Sequence, residues 1–126
     1  MKKYIVIYNK NSRGKTYSKK DLENIFSSHD LDTNVFITSE INDVDKIIKN
    51  YKNSKDYVYC AIGGDGTLNS LVNSLLSNNI NNPEVACIAS GSGSDFMRTF
   101  AMPADIHEAI LRIKNNQNYS IDAAFI

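Results

Sequence analysis

The chain has 126 residues, 42% of them hydrophobic and 22% charged, which suits one globular domain and excludes a disordered segment. Fourteen Lys and Arg balance fourteen Asp and Glu, so no net charge draws the chain toward nucleic acid or an anionic membrane. No stretch approaches the roughly 20 apolar residues needed to span a bilayer, and the apolar run near the N-terminus is too short for a signal peptide, so the expected location is the cytoplasm. Cys60 and Cys87 fall in apolar, strand-like runs without a Cys-x-x-Cys pattern and read as buried free thiols.

In chain order, Tyr4-Ile5-Val6-Ile7-Tyr8 reads as a first buried strand that runs into the polar loop Asn9-Lys10-Asn11-Ser12-Arg13-Gly14-Lys15. Open α/β sheets place their ligands at such loops, beyond the carboxyl ends of strands. Ser18 and Asp21 have the spacing of a capping box, and Leu22, Ile25, Phe26 and His29 share the inner face of the helix that follows. His29 falls at the end of that helix, half-buried rather than a ligand. Asn34-Val35-Phe36-Ile37-Thr38 is the second strand. A second helix is expected from the cap Asn42, with Asp45 at its third position and Val44, Ile47, Ile48 and Tyr51 inward; Lys46, Lys49, Lys52 and Lys55 make its wet side.

The central stretch is Tyr57-Val58-Tyr59-Cys60-Ala61-Ile62, a β-branched and aromatic run that ends in Gly63-Gly64-Asp65-Gly66-Thr67-Leu68-Asn69. Leu68, Leu71, Val72, Leu75 and Leu76 have helical spacing, so the glycine turn joins a strand to a helix. Gly63, Gly64 and Gly66 lack Cβ atoms and allow another molecule close to the backbone, while the start of the helix favours an anion, with phosphate the natural guest. A carboxylate beside a polyphosphate is repelled unless a metal bridges them or it hydrogen-bonds an incoming hydroxyl, so Asp65 implies Mg²⁺, proton abstraction or both. The turn is neither a Walker A loop nor the dinucleotide fingerprint.

After an Asn-rich connection, Glu84-Val85-Ala86-Cys87-Ile88-Ala89 is the fourth strand, which runs into Ser90-Gly91-Ser92-Gly93-Ser94-Asp95-Phe96-Met97-Arg98. Two small-residue loops at the ends of adjacent parallel strands would converge on one crevice. Asp105 and Glu108 form a second capping box, with Ile106, Ala109, Ile110 and Ile113 inward and His107 at the surface. Residues 119–126 read as a strand. The alternation of strands and helices predicts an α/β fold, a three-layer Rossmann-like parallel sheet with helices on both faces.

Gly63-Gly64-Asp65-Gly66-Thr67-Leu68-Asn69 resembles the nucleotide loop of the diacylglycerol kinase catalytic-domain family, which includes bacterial lipid kinases, sphingosine kinases and ceramide kinases. The Gly-Gly-Asp-Gly core is shared with NAD kinases and, more loosely, phosphofructokinases, whose N-terminal domain the predicted fold resembles. Leu68-Asn69 and Asp95-Phe96-Met97-Arg98 point to the lipid branch. Asn9 and Ser12 resemble the family's Asn-Pro-x-Ser/Ala-Gly segment, with Lys10 where proline is usual and Arg13 where glycine is. The second loop keeps Gly91, Gly93, Asp95, Phe96 and Arg98, with Ser92 for threonine, Ala89 for proline and Ser94 for asparagine. Ser70 stands where glutamate is usual.

The resemblance implies the ATP-binding part of a lipid kinase that moves the γ-phosphoryl group of ATP to a diacylglycerol-like hydroxyl with Mg²⁺. Gly63, Gly64, Gly66 and Thr67 would cradle phosphates, and Asp65 would hold the metal or orient the hydroxyl. Asn69 would assist, and Gly91, Ser92, Gly93 and Asp95, with Asn9 and Ser12, would line the rest of the nucleotide site. It also implies that residues 1–118 form the nucleotide domain and that 119–126 open a β-rich domain supplying much of the lipid site, without which the nucleotide part is expected to be inactive. The expected partners are ATP and a lipid acceptor met peripherally at the inner membrane surface, with no nucleic acid; a homodimer is left open. The alternatives are an NAD kinase-type phosphotransferase and a non-catalytic nucleotide-binding module.

Overall fold

A computed structural model describes residues 2–10, 17–53, 55–89, 106–114 and 119–120. Four strands, β1 (Lys3–Asn9), β2 (Thr33–Thr38), β3 (Tyr57–Gly63) and β4 (Glu84–Ala89), pair in parallel in the order β2-β1-β3-β4. A short β5 (Tyr119–Ser120), within the strand expected over 119–126, joins the far edge antiparallel to β4. Strands buried on both faces need continuous apolar runs, and β1, β3 and β4 supply them.

Among the described residues four helices cover the sheet: α1 (Lys19–Ser27), α2 (Ile41–Ile48), α3 (Asp65–Ser77) and α4 (Ile106–Lys114). Alternate strand residues divide between two cores. Tyr4, Val6, Tyr8, Val58, Cys60 and Ile62 pack with Leu22 and Phe26 of α1 and with Ile106, Ala109, Ile110 and Ile113 of α4. Ile5, Ile7, Tyr59, Ala61, Val85 and Cys87 pack with Val44 and Ile48 of α2 and with Leu68, Leu71, Val72 and Leu75 of α3. The sheet is thus the middle of three layers, as the alternation of elements predicts.

The same alternation explains the cysteines. Cys60 is paired with Ala86 and Ala61 with Cys87, so the two thiols leave the sheet on opposite faces and cannot bridge. Both are free and buried, and burial pushes the Cys60 thiol far above its ordinary range.

Helix starts follow local chemistry with one change of register. Ser18 Oγ accepts the Asp21 N–H and Asp21 Oδ2 accepts the Ser18 N–H, both at 3.0 Å, which is the predicted capping box. The second helix begins at Ile41 instead of after Asn42, because Asp43 Oδ2 accepts the N–H groups of Ser39 at 3.2 Å and Glu40 at 3.1 Å. Asp45, expected at the third position, instead takes a 2.9 Å bond from the Asn78 amide at the end of α3 and pairs with Lys49 at 3.1 Å. Leu76 also departs from expectation, being 54% exposed. At about 100° per residue it lies roughly 80° from Leu68, on the rim of the apolar stripe.

Phe26 is fully buried between β1 and α1 and touches the Tyr4 ring at a centroid distance of 6.4 Å. Phe26→Ala should therefore lower stability by about 3–5 kcal/mol in urea unfolding. The hydrogen bonds from the Ser39 and Glu40 backbone hold the Asp43 carboxyl below its ordinary value. A depressed folded pKa adds stability that is present above the unfolded value and is lost as pH falls through the folded one. Asp43→Asn should therefore lower stability in urea unfolding at neutral pH, and the difference from the wild type should close as pH falls below about 4, which flattens the acid limb of the stability profile.

Candidate functional site

The strand order reverses direction after β2, so β1 lies between β2 and β3 and the chain leaves their carboxyl ends in opposite senses. A crevice opens at such a switch point, outside the carboxyl ends of the strands. Tyr8 pairs with Ile62 and Gly63 with Ala89, so the ends of β1, β3 and β4 at Asn9, Gly63 and Ala89 stand level on one edge of the sheet. Two strand spacings put Asn9 about 10 Å from Ala89 across the sheet. The predicted phosphate turn lies in the middle of this edge.

Gly63 has φ 152°, a conformation that side-chain-bearing residues avoid. Gly64 is the N-cap of α3 and gives it no side-chain hydrogen bond, whereas Ser18, Asp21 and Asp43 serve α1 and α2 with theirs. The first bond into α3 runs from the Leu68 N–H to the Gly64 carbonyl at 3.3 Å, which leaves the N–H groups ahead of Leu68 without helical acceptors. A Cβ added at Gly64 or Gly66 would meet no heavy atom within 4 Å. Neither packing nor, at Gly64 with φ −101°, backbone strain requires those two glycines. Thr67 is 6% exposed, and no described residue hydrogen-bonds its hydroxyl. An uncapped helix start, open space over two glycines and a buried hydroxyl donor fit a phosphate-bearing guest.

The other predicted residues divide by position. Asn9 is half-buried at the end of β1, and Asn69 is exposed one turn into α3. Asp65 is the first residue of α3, at the positive end of the helix. Ser12, Gly91, Ser92, Gly93 and Asp95 lie outside the described residues, as do Arg13, Ser94, Phe96, Arg98 and Asp105. Sequence reading missed the part played by Tyr8. Its hydroxyl accepts the Tyr17 N–H at 3.3 Å, and the two rings meet edge-on at 6.0 Å, so the return of the chain after residue 16 is fastened to the strand from which the loop departs. A long tyrosine at the last inward position of a strand is the signal that could have shown it.

Among the described residues no helix is long and apolar enough to cross a membrane. Comparison with known proteins gives one consistent relationship. The chain is 30% identical over 120 residues to a diacylglycerol kinase of Staphylococcus aureus, covering 93% of this chain and 38% of the relative. It is 31% identical over 108 residues to a diacylglycerol kinase of Staphylococcus saprophyticus, covering 83% and 35%. The crystal structure of a diacylglycerol kinase from Bacillus anthracis superposes with a TM-score of 0.69 at 28% identity, covering 91% of this chain and 39% of that one. The chain thus spans little more than a third of the length of these relatives. The family described as the diacylglycerol kinase catalytic domain matches residues 3–126, and the chain belongs to that family.

Proposed function

We propose that this chain supplies the ATP-binding part of a lipid kinase that transfers the γ-phosphoryl group of ATP to the hydroxyl of a diacylglycerol-like lipid. The observation that carries this reading is the uncapped glycine start of α3 at the point where the strand order reverses. Family membership favours the lipid-kinase reading over the NAD kinase one.

In this reading the backbone N–H groups at Gly64, Asp65, Gly66 and Thr67 bind phosphate oxygens, and the Thr67 hydroxyl adds a donor from the buried side. Asn9, on the neighbouring strand end, and Asn69 contribute polar groups at the margins. Ser12, Gly91, Ser92, Gly93 and Asp95 complete the nucleotide site from the two flanking loops. Asp65 either holds Mg²⁺ or accepts a hydrogen bond from the lipid hydroxyl and orients it. When bound, Mg²⁺ offsets the charge on the phosphates. Phosphoryl transfer of this kind depends on position and charge stabilisation more than on a strong nucleophile, which suits a site built from backbone donors. The nucleotide domain is residues 1–118, and the lipid site belongs largely to a β-rich domain that begins at 119–126. The enzyme works from the cytoplasm and meets its lipid peripherally at the membrane surface.

Two substitutions separate this reading from a purely structural turn. Gly66 occupies a helical position with open space where a Cβ would stand, so Gly66→Ala should leave thermal stability unchanged or raise it by up to about 1 kcal/mol. ATP affinity measured by calorimetry should nevertheless fall by about tenfold or more, or about 1.4 kcal/mol. Equal affinity in the two proteins would show that the turn does not approach the nucleotide. In the full-length kinase, Asp65→Asn should keep the melting temperature while kcat for lipid phosphorylation drops by about a hundredfold or more, about 3 kcal/mol in the barrier. A folded Asp65→Asn enzyme with near-normal kcat would remove the carboxylate from the chemistry.

A further inference from the structure

The chain contains two histidines, and folding brings them together: His29 Nε2 lies 2.9 Å from His107 Nδ1, although 78 positions separate them. The ring centroids are 5.1 Å apart and the planes are inclined by 44°. His29 stands in the turn after α1 and is half-buried, while His107 is the exposed second residue of α4. Their approach is set by the core beneath them. Leu22 and Phe26 of α1 and Ile106 and Ile110 of α4 are buried in one cluster on the same face of the sheet, which holds the two backbones in place.

A neutral imidazole presents one N–H and one lone pair, so the pair shares a single hydrogen between two nitrogens that point at one another. The same two nitrogens suit a metal. Bound to one tetrahedral Zn²⁺ at about 2.0–2.1 Å each, two imidazole nitrogens lie about 3.3 Å apart, only about 0.4 Å more than the hydrogen-bonded distance. Each ring must also turn so that its lone pair leaves the line between the nitrogens.

We propose that His29 and His107 form a two-imidazole site for a divalent transition ion of the Zn²⁺, Ni²⁺ and Cu²⁺ class, which ties α4 to the turn after α1. Imidazole selects such ions over Mg²⁺ and Ca²⁺, which take oxygen ligands. The two thiols do not compete, because Cys60 and Cys87 are buried within the layers. Among the described residues no group of three or more His, Cys, Asp and Glu side chains forms a metal site, so the two imidazoles are the ligands that those residues supply. With half the ligands of a structural zinc site, a dissociation constant on the order of 10 µM is expected. In the sequence α4 follows the segment that carries Gly91, Ser92, Gly93 and Asp95, so the ion would hold the helix into which that segment leads.

The test is calorimetric titration of the tag-free chain with ZnCl₂, paired with thermal melts in ZnCl₂ and in MgCl₂. One Zn²⁺ per chain should bind and raise the melting temperature, and MgCl₂ should do neither. His29→Ala and His107→Ala should each remain folded by circular dichroism, weaken Zn²⁺ binding by about tenfold or more, and abolish the zinc-dependent rise. Absence of a saturable Zn²⁺ site in the wild-type chain would overturn the proposal. So would a site of unchanged affinity in either variant.

Discussion

A strand that crosses over to a parallel neighbour packs back onto its sheet in one hand only, and this constraint governs the placement of every helix from α1 to α3. The step from β1 to β2 goes one way along the sheet and the step from β2 to β3 goes the other, so α1 and α2 must lie on opposite faces. The step from β3 to β4 continues in the second sense and keeps α3 beside α2. The two clusters of buried side chains record this division residue by residue along β1 and β3. With both faces covered, the edge where the carboxyl ends of these strands emerge is the ground such sheets offer a ligand.

The glycine turn stands on that edge and departs from the habits of the rest of the chain. The starts of α1 and α2 are satisfied by side chains, Ser18 and Asp21 for α1 and Asp43 for α2. Such a cap stabilises a helix by about 1 kcal/mol, and α3 forgoes it. Glycine at Gly66 also costs about as much again relative to alanine within a helix. Stability is given up where it would otherwise block access to the backbone. Around the turn the fold compensates with the apolar stripe of α3, in which Leu68, Leu71 and Leu75 are buried, and with the Asn78–Asp45 hydrogen bond that ties its far end to α2.

The differences between the expected and observed elements have a common origin in neighbours that are distant in the chain. Glu40 and Asp43, like Asn42 and Asp45, have the spacing of a helix start, and local pattern does not choose between them. The choice is made by α3, whose Asn78 engages Asp45 and leaves Asp43 to serve the helix end. The direction of β5 is likewise set at a distance, since Tyr119 and Ser120 pair with β4 residues more than thirty positions earlier. The histidines were each read alone as surface or helix-end residues. Nothing in the spacing of residues 29 and 107 announces that α1 and α4 share a face.

Local physics accounts for what the sequence by itself determined. Continuous apolar runs defined the strands, the 3.6-residue stripes defined the helices, and Gly63-Gly64-Asp65-Gly66 announced a strand-to-helix turn open to a phosphate, because each signal is carried by residues within a few positions of one another. The tertiary structure decided what depends on several elements at once. Strand order placed the turn at the reversal point, register levelled Asn9, Gly63 and Ala89, and the two-faced sheet kept Cys60 from Cys87. The bond from the Tyr17 N–H to the Tyr8 hydroxyl joins the approach to α1 to strand β1, and the meeting of His29 with His107 arises from helices packed on a common face and exists only once the layers have assembled.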